Sequence, residues 1–534
     1  MDSLVFIGLA LSTVIGNVIA YNGDGVFLRL HDPRSLGGSE SMRWNQMLRG
    51  PGKVHLSPEK AYIKASSRWV DTQFFARKIS QLKRQESLTS TTSRTFFVTD
   101  NGADPTGKTD STAAIQKTIN QAFDVSTSHS LMPGVPDLGG VDIHLEGGDY
   151  LISSPVSFPS IGGGNVLLHG GTLRASQSFP KDGYLIQLWS SYSTRVNISE
   201  FSKSFSKDRG LDDIALDGQA NRYPYEVITI RDLMLDANFR GGGILIVNSL
   251  RTTVENLYIS HFTTEGIRVE GGHETYISNS FIGQYITAGG DPRERSFSGV
   301  GIFMMSNDNV ISNVVVFSAA VGISVSGQAN LLTGIHLYNK ATGFQGVGMY
   351  VRLPGYTQTR ILGCYLDYTG IVAEDPVQLQ ISDSFFLGDA NILLRSTRRY
   401  LSVESVIITH NLFSGTGKGV PVVALDESAG SFSNIQQTVV DQNTADGMVL
   451  KSTVARGTVM GTTSVWTIDF SQRLLFKNLI RNVQYSVFCP GSSFPRHALR
   501  SVVNNKIAVQ TDSVVYGTVS AVVDQSSDSL SYKE

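Results

Sequence analysis

The strongest constraint on how this chain can fold is a repeat of about two dozen residues that runs from residue 228 to residue 394. Each repeat contains a short apolar segment interrupted by one small polar residue or glycine. Two or three repeats are longer, which indicates insertions at one point of the unit. The interrupting residues are Asp232, Asn256, Asn279, Asn313, Gly334, Gly363 and Asp383.

A second pattern keeps the same period. In it, a glycine is followed by alternating apolar residues, as in Gly243-Ile244-Leu245-Ile246. Successive side chains of a strand point to opposite faces, so the apolar residues of such a segment share one face. We therefore expect one apolar residue per repeat to stack inside a common core. These residues are Ile244, Ile267, Ile302, Ile323, Met349 and Ile371.

A single repeat of this length could not bury its own apolar face, so neighbouring repeats must stack. The segments lack helical periodicity, which argues against the helical repeat classes. A leucine-rich repeat is the alternative, but it would need regularly placed leucines. The sequence therefore predicts an all-β fold, a right-handed single-stranded parallel β-helix over residues 95–443. The interrupting Asn and Asp residues are expected at its turns.

The N-terminal part has a different character. Residues 4–20 form an apolar run that ends in Val18-Ile19-Ala20, which predicts a signal peptide over residues 1–20 with cleavage before Tyr21. Asp2 stands where a basic residue is typical, and a signal anchor is the alternative. Residues 21–94 are interpreted as an extension or propeptide, with one amphipathic helix at residues 68–86.

Both ends of the predicted solenoid need a cover. Asp110 and Ser111 can cap a helix with Ala113, Ala114, Ile115, Ile119 and Ala122 on its apolar side. Such a helix would close the open N-terminal end. From residue 444 the period stops and longer alternating segments follow, which favours a small antiparallel β domain over residues 444–525. Residues 526–534 are expected to be a tail.

Composition limits the classes of partner. The 534-residue chain has a formal net charge of −2 and a pI near 6.6, whereas nucleic-acid binding usually requires a basic domain. After signal cleavage we expect a monomer that does not associate with a membrane. Asn197-Ile198-Ser199 is a glycosylation sequon, consistent with secretion. Cys364 and Cys489 are expected to be two separate buried thiols.

Several motifs ahead of the repeat are shared with one known group of proteins. They are Gly102-Ala103-Asp104, Asp110-Ser111-Thr112-Ala113-Ala114-Ile115-Gln116, Gly148-Asp149-Tyr150 and Gly170-Gly171-Thr172-Leu173. With these motifs, the chain resembles pectin-lyase-like β-helix proteins of the pectate-lyase-3 type, and within that group the Quartet-type plant polygalacturonases. The resemblance implies a secreted, cofactor-independent glycoside hydrolase that cleaves the α-1,4 links of pectin or homogalacturonan in the cell wall.

Outward residues of the Gly-Ile strands should form a continuous column, because equivalent residues of successive coils stack about 4.8 Å apart. Arg268, Tyr350 and Arg352 fall in this column. Guanidinium groups can bind carboxylates bidentately, so arginines beside aromatic rings suit an anionic sugar polymer. Arg293 and Arg295, in an insertion before Gly301, are further candidates for substrate binding. Each of these residues can also be a solvated surface side chain.

Glycoside hydrolysis needs two carboxyl groups. Glu265 precedes Gly266, and the insertion after Gly289 carries Asp291 and Glu294, so these three acids are the catalytic candidates. Polar insertions at one turn of a repeat protein tend to build the binding face. The competing acids Asp236, Asp308 and Asp367 can equally be turn residues.

The chain departs from the motifs of well-studied polygalacturonases, since Asn-Thr-Asp, paired Asp-Asp, Gly-His-Gly and Arg-Ile-Lys do not appear intact on the Gly-Ile strands. His273 and His336 can be structural. Two alternatives therefore stay open: a pectate lyase that acts by β-elimination, and a non-catalytic carbohydrate-binding β-helix. A calcium-dependent lyase would need clustered carboxylates, whereas the acids here are spread over several coils. No metal site is predicted.

Overall fold

The computed structural model describes residues 16–22, 25–31, 94–125, 128–189, 223–285, 298–338, 346–352, 358–492 and 494–526. The chain divides into two compact units, residues 1–93 and 94–534. In the first unit, strands Gly16–Asn22 and Gly25–His31 form an antiparallel hairpin. The helix expected at residues 68–86, residues 1–15 of the expected signal peptide and the sequon at Asn197 lie outside the described residues.

The second unit is a right-handed parallel β-helix in which each strand pairs with its equivalents one coil before and after. Ladder A contains the Gly-Ile strands, with the order Val156–Ser157, Tyr184–Leu188, Gly242–Val247, Glu265–His273, Val300–Asn307, Val321–Ser326, Val347–Arg352, Ile371–Glu374, Ile392–Arg395 and Val423–Asp426. The predicted fold class is thus confirmed.

Two further ladders complete each coil. Three long strands, Gly163–Ala175, Tyr225–Asp236 and Thr253–Ser260, run through both of them. The other strands of ladder B are Thr95–Phe97, Val135–His144, Tyr276–Ser278, Val310–Ser312, Leu331–Thr333, Thr359–Leu362, Leu379–Ser382, Ile407–Thr409 and Val439–Asp441. The other strands of ladder C are Thr106–Asp110, Asp149–Ile152, Phe281–Gly283, Val315–Phe317, His336–Tyr338, Tyr365–Asp367, Phe385–Leu387, Leu412–Ser414 and Thr444–Asp446.

Short strands join the ladders at their margins. Ser249–Leu250 pairs with the long strand Tyr225–Asp236, Ser130–Met132 is antiparallel to Val135–His144, and Ser402–Glu404 pairs with Asn434–Gln436. The last parallel strand of the solenoid, Thr444–Asp446, lies just past the expected boundary at residue 443.

The core of the solenoid is built as the period predicts. Ile244 pairs with Ile267, Ile267 with Ile302, and the register continues through Ile323 and Met349 to Ile371. All six side chains are buried. The inward column of ladder A is therefore confirmed, and burying one apolar residue per coil supplies the stabilisation that a single coil lacks.

The interrupting residues form a second column, at the corner between ladders B and C. Each has a positive φ, for example 55° at Asp232 and 54° at Asn256, and 61° at both Gly334 and Gly363. Glycine adopts this left-handed conformation freely, and Asn and Asp tolerate it better than other residues. The Asn256 amide donates a hydrogen bond to Asp232 Oδ1 at 2.6 Å, so neighbouring corners also bond to each other.

The predicted N-terminal helix spans Thr112–Phe123, after a short 3-10 turn at Thr99–Asn101. Its buried Ile115 and Ile119 belong to the same core as the β-helix, so the helix closes that end. Asp110 accepts a hydrogen bond from the backbone N–H of Thr112 at 3.0 Å, whereas Ser111, the N-cap residue, makes no capping hydrogen bond through its side chain. Ala113, expected on the apolar side, is exposed.

The C-terminal strands Val454–Asp469, Asn482–Phe488, His497–Val503 and Lys506–Asp524 form the predicted antiparallel sheet around the last strand. Cys364 is fully buried, which raises the pKa of its thiol to about 12, whereas Cys489 is only half-buried, contrary to expectation. The two thiols are unpaired. In the part of the chain that the structure describes, no helix has the length and apolar character of a membrane span.

Candidate functional site

The outward face of ladder A is here called the floor. It carries the residues that the sequence predicts to bind the substrate. Arg268 pairs with Phe303, Phe303 with Ser324, and Ser324 with Tyr350, so the expected column exists. A parallel column runs two residues further along each strand, through Glu270, Met305, Ser326, Arg352, Glu374, Arg395 and Asp426.

Part of the floor is covered. Leu245 and Val247, one coil before Arg268, are each only 8% exposed because they pack with Tyr184 and Trp189. Leu245 occupies an outward position of its strand but does not contribute to an open column. The accessible floor therefore begins at the coil of Arg268.

A buried cluster of charges marks that coil; it consists of Tyr184, Glu265, Arg268 and Glu270. Arg268 Nη1 donates to Glu265 Oε1 at 2.7 Å, and Arg268 Nε donates to Glu270 Oε1 at 2.7 Å. The Tyr184 hydroxyl donates to the other oxygen of Glu265. The guanidinium also lies 4.7 Å from the centre of the Phe303 ring. Glu265 thus stands at the margin of the floor, with both carboxylate oxygens accepting hydrogen bonds.

Burial and charge act in opposite directions on Arg268. Burial lowers its pKa, but the carboxylates of Glu270 and Glu265 together raise the pKa further, so the net shift is upward. For Tyr184, burial is the main cause of a raised pKa, and the nearby Glu265 carboxylate adds to it. Arg268 therefore stays a cation and Tyr184 a neutral hydrogen-bond donor over the ordinary pH range.

A second group of charges lies further along the floor; this open cluster consists of Tyr350, Arg352, Glu374, Arg395 and Asp426. The Tyr350 hydroxyl donates to Glu374 Oε1, and Arg352 stacks 4.7 Å from the centre of the Tyr350 ring. Arg352 Nε lies 3.6 Å from Glu374 Oε2. Arg395 Nε donates to Asp426 Oδ2 at 2.8 Å, and its Nη1 lies 3.9 Å from Glu374 Oε1.

The pKa shifts in the open cluster follow from these contacts. Burial and the hydrogen bond to Glu374 raise the pKa of Tyr350. The pKa of Asp426 is lowered, mainly by hydrogen bonds from Ser428 and then by Arg395. Burial lowers the pKa of Arg395, but its contacts with Asp426 and Tyr350 together raise the pKa further, so the net shift is upward.

Most of the predicted insertion lies outside the described residues. Asp291, Glu294, Arg293 and Arg295 fall in residues 286–297, so the structure does not place them. The residues that follow the insertion are placed. Val300 pairs with Glu265, and its backbone N–H donates to Thr264 O at 2.8 Å. The segment that carries the two candidate acids therefore rejoins ladder A beside Glu265.

The competing acids lie away from the floor. Asp236 ends the strand Tyr225–Asp236 and contacts His261, with Oδ1 and Nδ1 2.7 Å apart. Burial raises the pKa of Asp236, but the contact with His261 and the N–H of Asn238 lower it overall. Asp308 has a φ of 57° and is exposed in a turn, as the alternative interpretation expected. Asp367 ends a strand of ladder C.

The two histidines considered from sequence have aromatic and acidic neighbours. His273 lies 3.8 Å from Glu274 and edge-on to Tyr223. His336 is partly buried against Tyr338 and Tyr365. Burial lowers the pKa of His336, and Asp367 opposes this only in part.

Five members of the clusters were not among the site residues expected from the sequence: Tyr184, Glu270, Glu374, Arg395 and Asp426. Alternation along the recognised strands already places Glu270, Glu374 and Arg395 on the outward face, whereas Tyr184 and Asp426 lie outside those strands. Both belong to ladder A strands beyond the ends of the recognised repeat. The signal was present, since Gly183-Tyr184-Leu185-Ile186 and Val422-Val423-Ala424-Leu425 continue the same apolar pattern. Extending the repeat by one coil at each end would have placed both residues.

No family model matches the chain. The chain is 53% identical over 434 residues to the protein named polygalacturonase QRT3 from Arabidopsis thaliana, a match that covers 81% of this chain and 84% of that protein. Among solved structures, ORF18 of Geobacillus virus E2 aligns with a TM-score of 0.46 and 12% identity, over 94% of this chain and 85% of that one. The A-module of mannuronan C-5 epimerase AlgE4 from Azotobacter vinelandii aligns with a TM-score of 0.42 and 15% identity, over 66% and 96%.

Proposed function

This chain belongs to the Quartet-type plant polygalacturonase family, and from that membership and the floor geometry we propose that it hydrolyses the α-1,4 links between galacturonate units of pectin. The observation that carries the proposal is the 53% identity to a protein named polygalacturonase over most of both chains. An arginine- and tyrosine-bearing floor supports it, because galacturonan is a linear polyanion. We further propose that the protein is secreted to the cell wall and acts as a monomer.

In the proposed mechanism, Glu265 is one of the two catalytic carboxyl groups. Its oxygens accept hydrogen bonds from Arg268 and from the Tyr184 hydroxyl, so the side chain is held as an acceptor. A group held in this way suits a base or nucleophile better than a proton donor, because a proton on it would face another donor. The general acid would then be Asp291 or Glu294, in the segment that rejoins ladder A beside Glu265.

The proposed substrate contacts divide the arginines into two roles. Arg268 already donates to two carboxylates, so we assign it to orienting Glu265. Arg352 with Tyr350, and the insertion residues Arg293 and Arg295, are assigned to galacturonate carboxylates. Guanidinium–carboxylate contacts of this kind are charge-assisted and geometrically specific.

The test is an assay of the purified protein on polygalacturonate. New reducing ends without the ultraviolet absorbance of an unsaturated uronate indicate hydrolysis, which is the expected result. That absorbance would instead indicate elimination, and neither signal with retained binding would indicate a non-catalytic role. Either of the last two results would overturn the proposal.

The catalytic assignment has its own test. Glu265→Gln, Asp291→Asn and Glu294→Gln are compared after folding is checked, and loss of an essential acid is expected to lower turnover by about 10²–10⁴-fold. Asp308→Asn, at an exposed turn, is the matched control and should keep near-normal turnover. Normal turnover in all three variants would remove the site from this coil.

A further inference from the structure

We propose that the open cluster is a distal subsite that binds the carboxylate of a galacturonate unit about three units from the cleaved bond, and that it sets a preference for longer chains. The inference rests on the proposed function, because it places the cleaved bond at the coil of Glu265. It adds a specific consequence: the open cluster should raise kcat/KM only for substrates that are long enough to reach it.

The first step is the distance between the clusters. Arg268 and Tyr350 occupy the same column, separated by Phe303 and Ser324. Three coils at about 4.8 Å each place them about 14 Å apart along the solenoid. A pyranose unit in an extended polysaccharide advances by roughly the height of one coil. A galacturonan lying along the floor would therefore place about three sugar units between the clusters.

The second step is the availability of a cation. The Arg352 side chain is 56% exposed, whereas that of Arg268 is 22% exposed. Arg268 donates hydrogen bonds directly to two carboxylates, but the Arg352 contact with Glu374 is at 3.6 Å. Arg352 therefore retains N–H groups that face solvent and can bind a carboxylate.

The third step is how Arg352 is held in place. Its guanidinium stacks on the Tyr350 ring, and the Tyr350 hydroxyl is fixed by Glu374. A stacked guanidinium loses less freedom on binding than a free one, which favours affinity. Arg395 lies between Glu374 and Asp426, so it offsets the negative charge that Glu374 would otherwise present to a uronate.

The fourth step is the balance of charge on the floor. The buried cluster contains one arginine and two glutamates, whereas the open cluster contains two arginines and two acids. The buried cluster therefore presents a net negative charge to a galacturonate unit, whereas the open cluster has no net charge. Between them lie uncharged residues: Phe303, Met305, Ser324 and Ser326. The open cluster is thus the place on this part of the floor where a second carboxylate is best accommodated.

The experiment measures kcat/KM on galacturonate oligomers of defined length, from dimer to octamer, for the wild type and for Arg352→Ala. Oligomers too short to span both clusters should be cleaved equally by both proteins. For hexamer and longer substrates, we expect kcat/KM of the variant to fall about 10–100-fold, the usual loss for one hydrogen bond to a charged group. The loss should lie mainly in KM, because the contact is far from the reacting bond.

Arg360→Ala is the matched control, because Arg360 is the next arginine in the sequence and is exposed on ladder B, not on the floor. It should behave as wild type at every length. Tyr350→Phe keeps the ring under Arg352 but removes the hydroxyl that Glu374 holds, so it should lower the length dependence less than Arg352→Ala does. An equal loss at every length, or no loss at any length, would overturn the proposal.

Binding is measured separately, by calorimetry of the dimer and the octamer with wild type and Arg352→Ala. If the wild type binds the octamer more tightly than Arg352→Ala does but does not hydrolyse it, the proposed function fails and the subsite stands. If hydrolysis is normal but the octamer binds no more tightly to wild type than to the variant, the subsite fails and the function stands.

Discussion

The buried cluster and the open cluster use the same kinds of side chain on the same face, but water reaches them very differently. Side chains of the buried cluster, Glu265 and Glu270, are 12% and 9% exposed, and Arg268 donates directly to both. In the open cluster, Arg352 is mostly exposed and only approaches Glu374. Charged residues at equivalent positions of the repeat can therefore have two roles. They form the framework when they stabilise the fold through covered ion pairs, and they are binding groups when they stay accessible to a ligand. Which role a residue has depends on the side chains that pack over it.

The largest expected effect is on stability, from Arg268→Met. This change removes the cation between two poorly exposed carboxylates and should destabilise the solenoid by about 3 kcal/mol, the lower end for breaking a buried ion pair. The measurement is urea unfolding followed by circular dichroism. Arg352→Met is the control, with an expected cost of about 0–1 kcal/mol. Similar losses of unfolding free energy in the two variants would contradict the difference in burial between the two clusters.

A smaller effect is expected in a double-mutant cycle. Coupling between Arg352 and Glu374 should be about 0–1 kcal/mol and should disappear in 1 M salt, where charges are screened over roughly 3 Å. Coupling between Arg268 and Glu270 should be larger and should persist in salt, since partly buried pairs are screened less. A salt-sensitive Arg268–Glu270 coupling would contradict the assignment of that pair to the framework.

The smallest effect is a pH dependence. Burial, and then the Glu265 carboxylate, raise the pKa of Tyr184 above its value in the unfolded chain. A raised pKa favours the neutral phenol in the fold, so this stabilisation is complete below about pH 10 and is lost as the pH rises further. Tyr184→Phe should therefore flatten the alkaline decline in stability. Tyr350→Phe should flatten it less, because Tyr350 is more exposed. An unchanged slope in Tyr184→Phe would show that the phenol does not contribute.

Much of the solenoid follows from the sequence because its determinants are local. Alternation fixes which residues of each strand point inward, and the left-handed conformation at each corner favours Asn, Asp or Gly, although His410 and Gln442 occupy the corners of the last two coils. Ile267 and Asn279 could therefore be placed without knowing any contact. The column that contains Arg268 and Tyr350 followed from the same period.

The clusters could not be predicted in full, because several of their contacts join distant parts of the chain. Tyr184 and Glu265 are 81 residues apart in sequence, and Arg395 and Asp426 are 31 apart. The period places such residues on one face, but it does not show which hydrogen bonds form among them. The interpretation of Arg268 as a substrate ligand did not foresee its ion pair with Glu270, which lies two residues away on the same side of the strand. The contact of Asp236 with His261 was missed for the same reason, since it spans neighbouring coils at a turn.

The corner column has a consequence for how such a protein can change over evolutionary time. After each corner, the alternation of inward and outward side chains starts anew in the next strand. Extra residues inserted at a turn therefore leave the alternation of that strand intact. The insertion at residues 289–295 precedes a strand in which Ile302 still pairs with Ile267. A single residue deleted between a corner and the end of its strand would instead exchange the two faces and carry polar residues inward. Related proteins should therefore differ mainly by the insertion or deletion of whole loops at the turns, while the lengths of the strands stay constant.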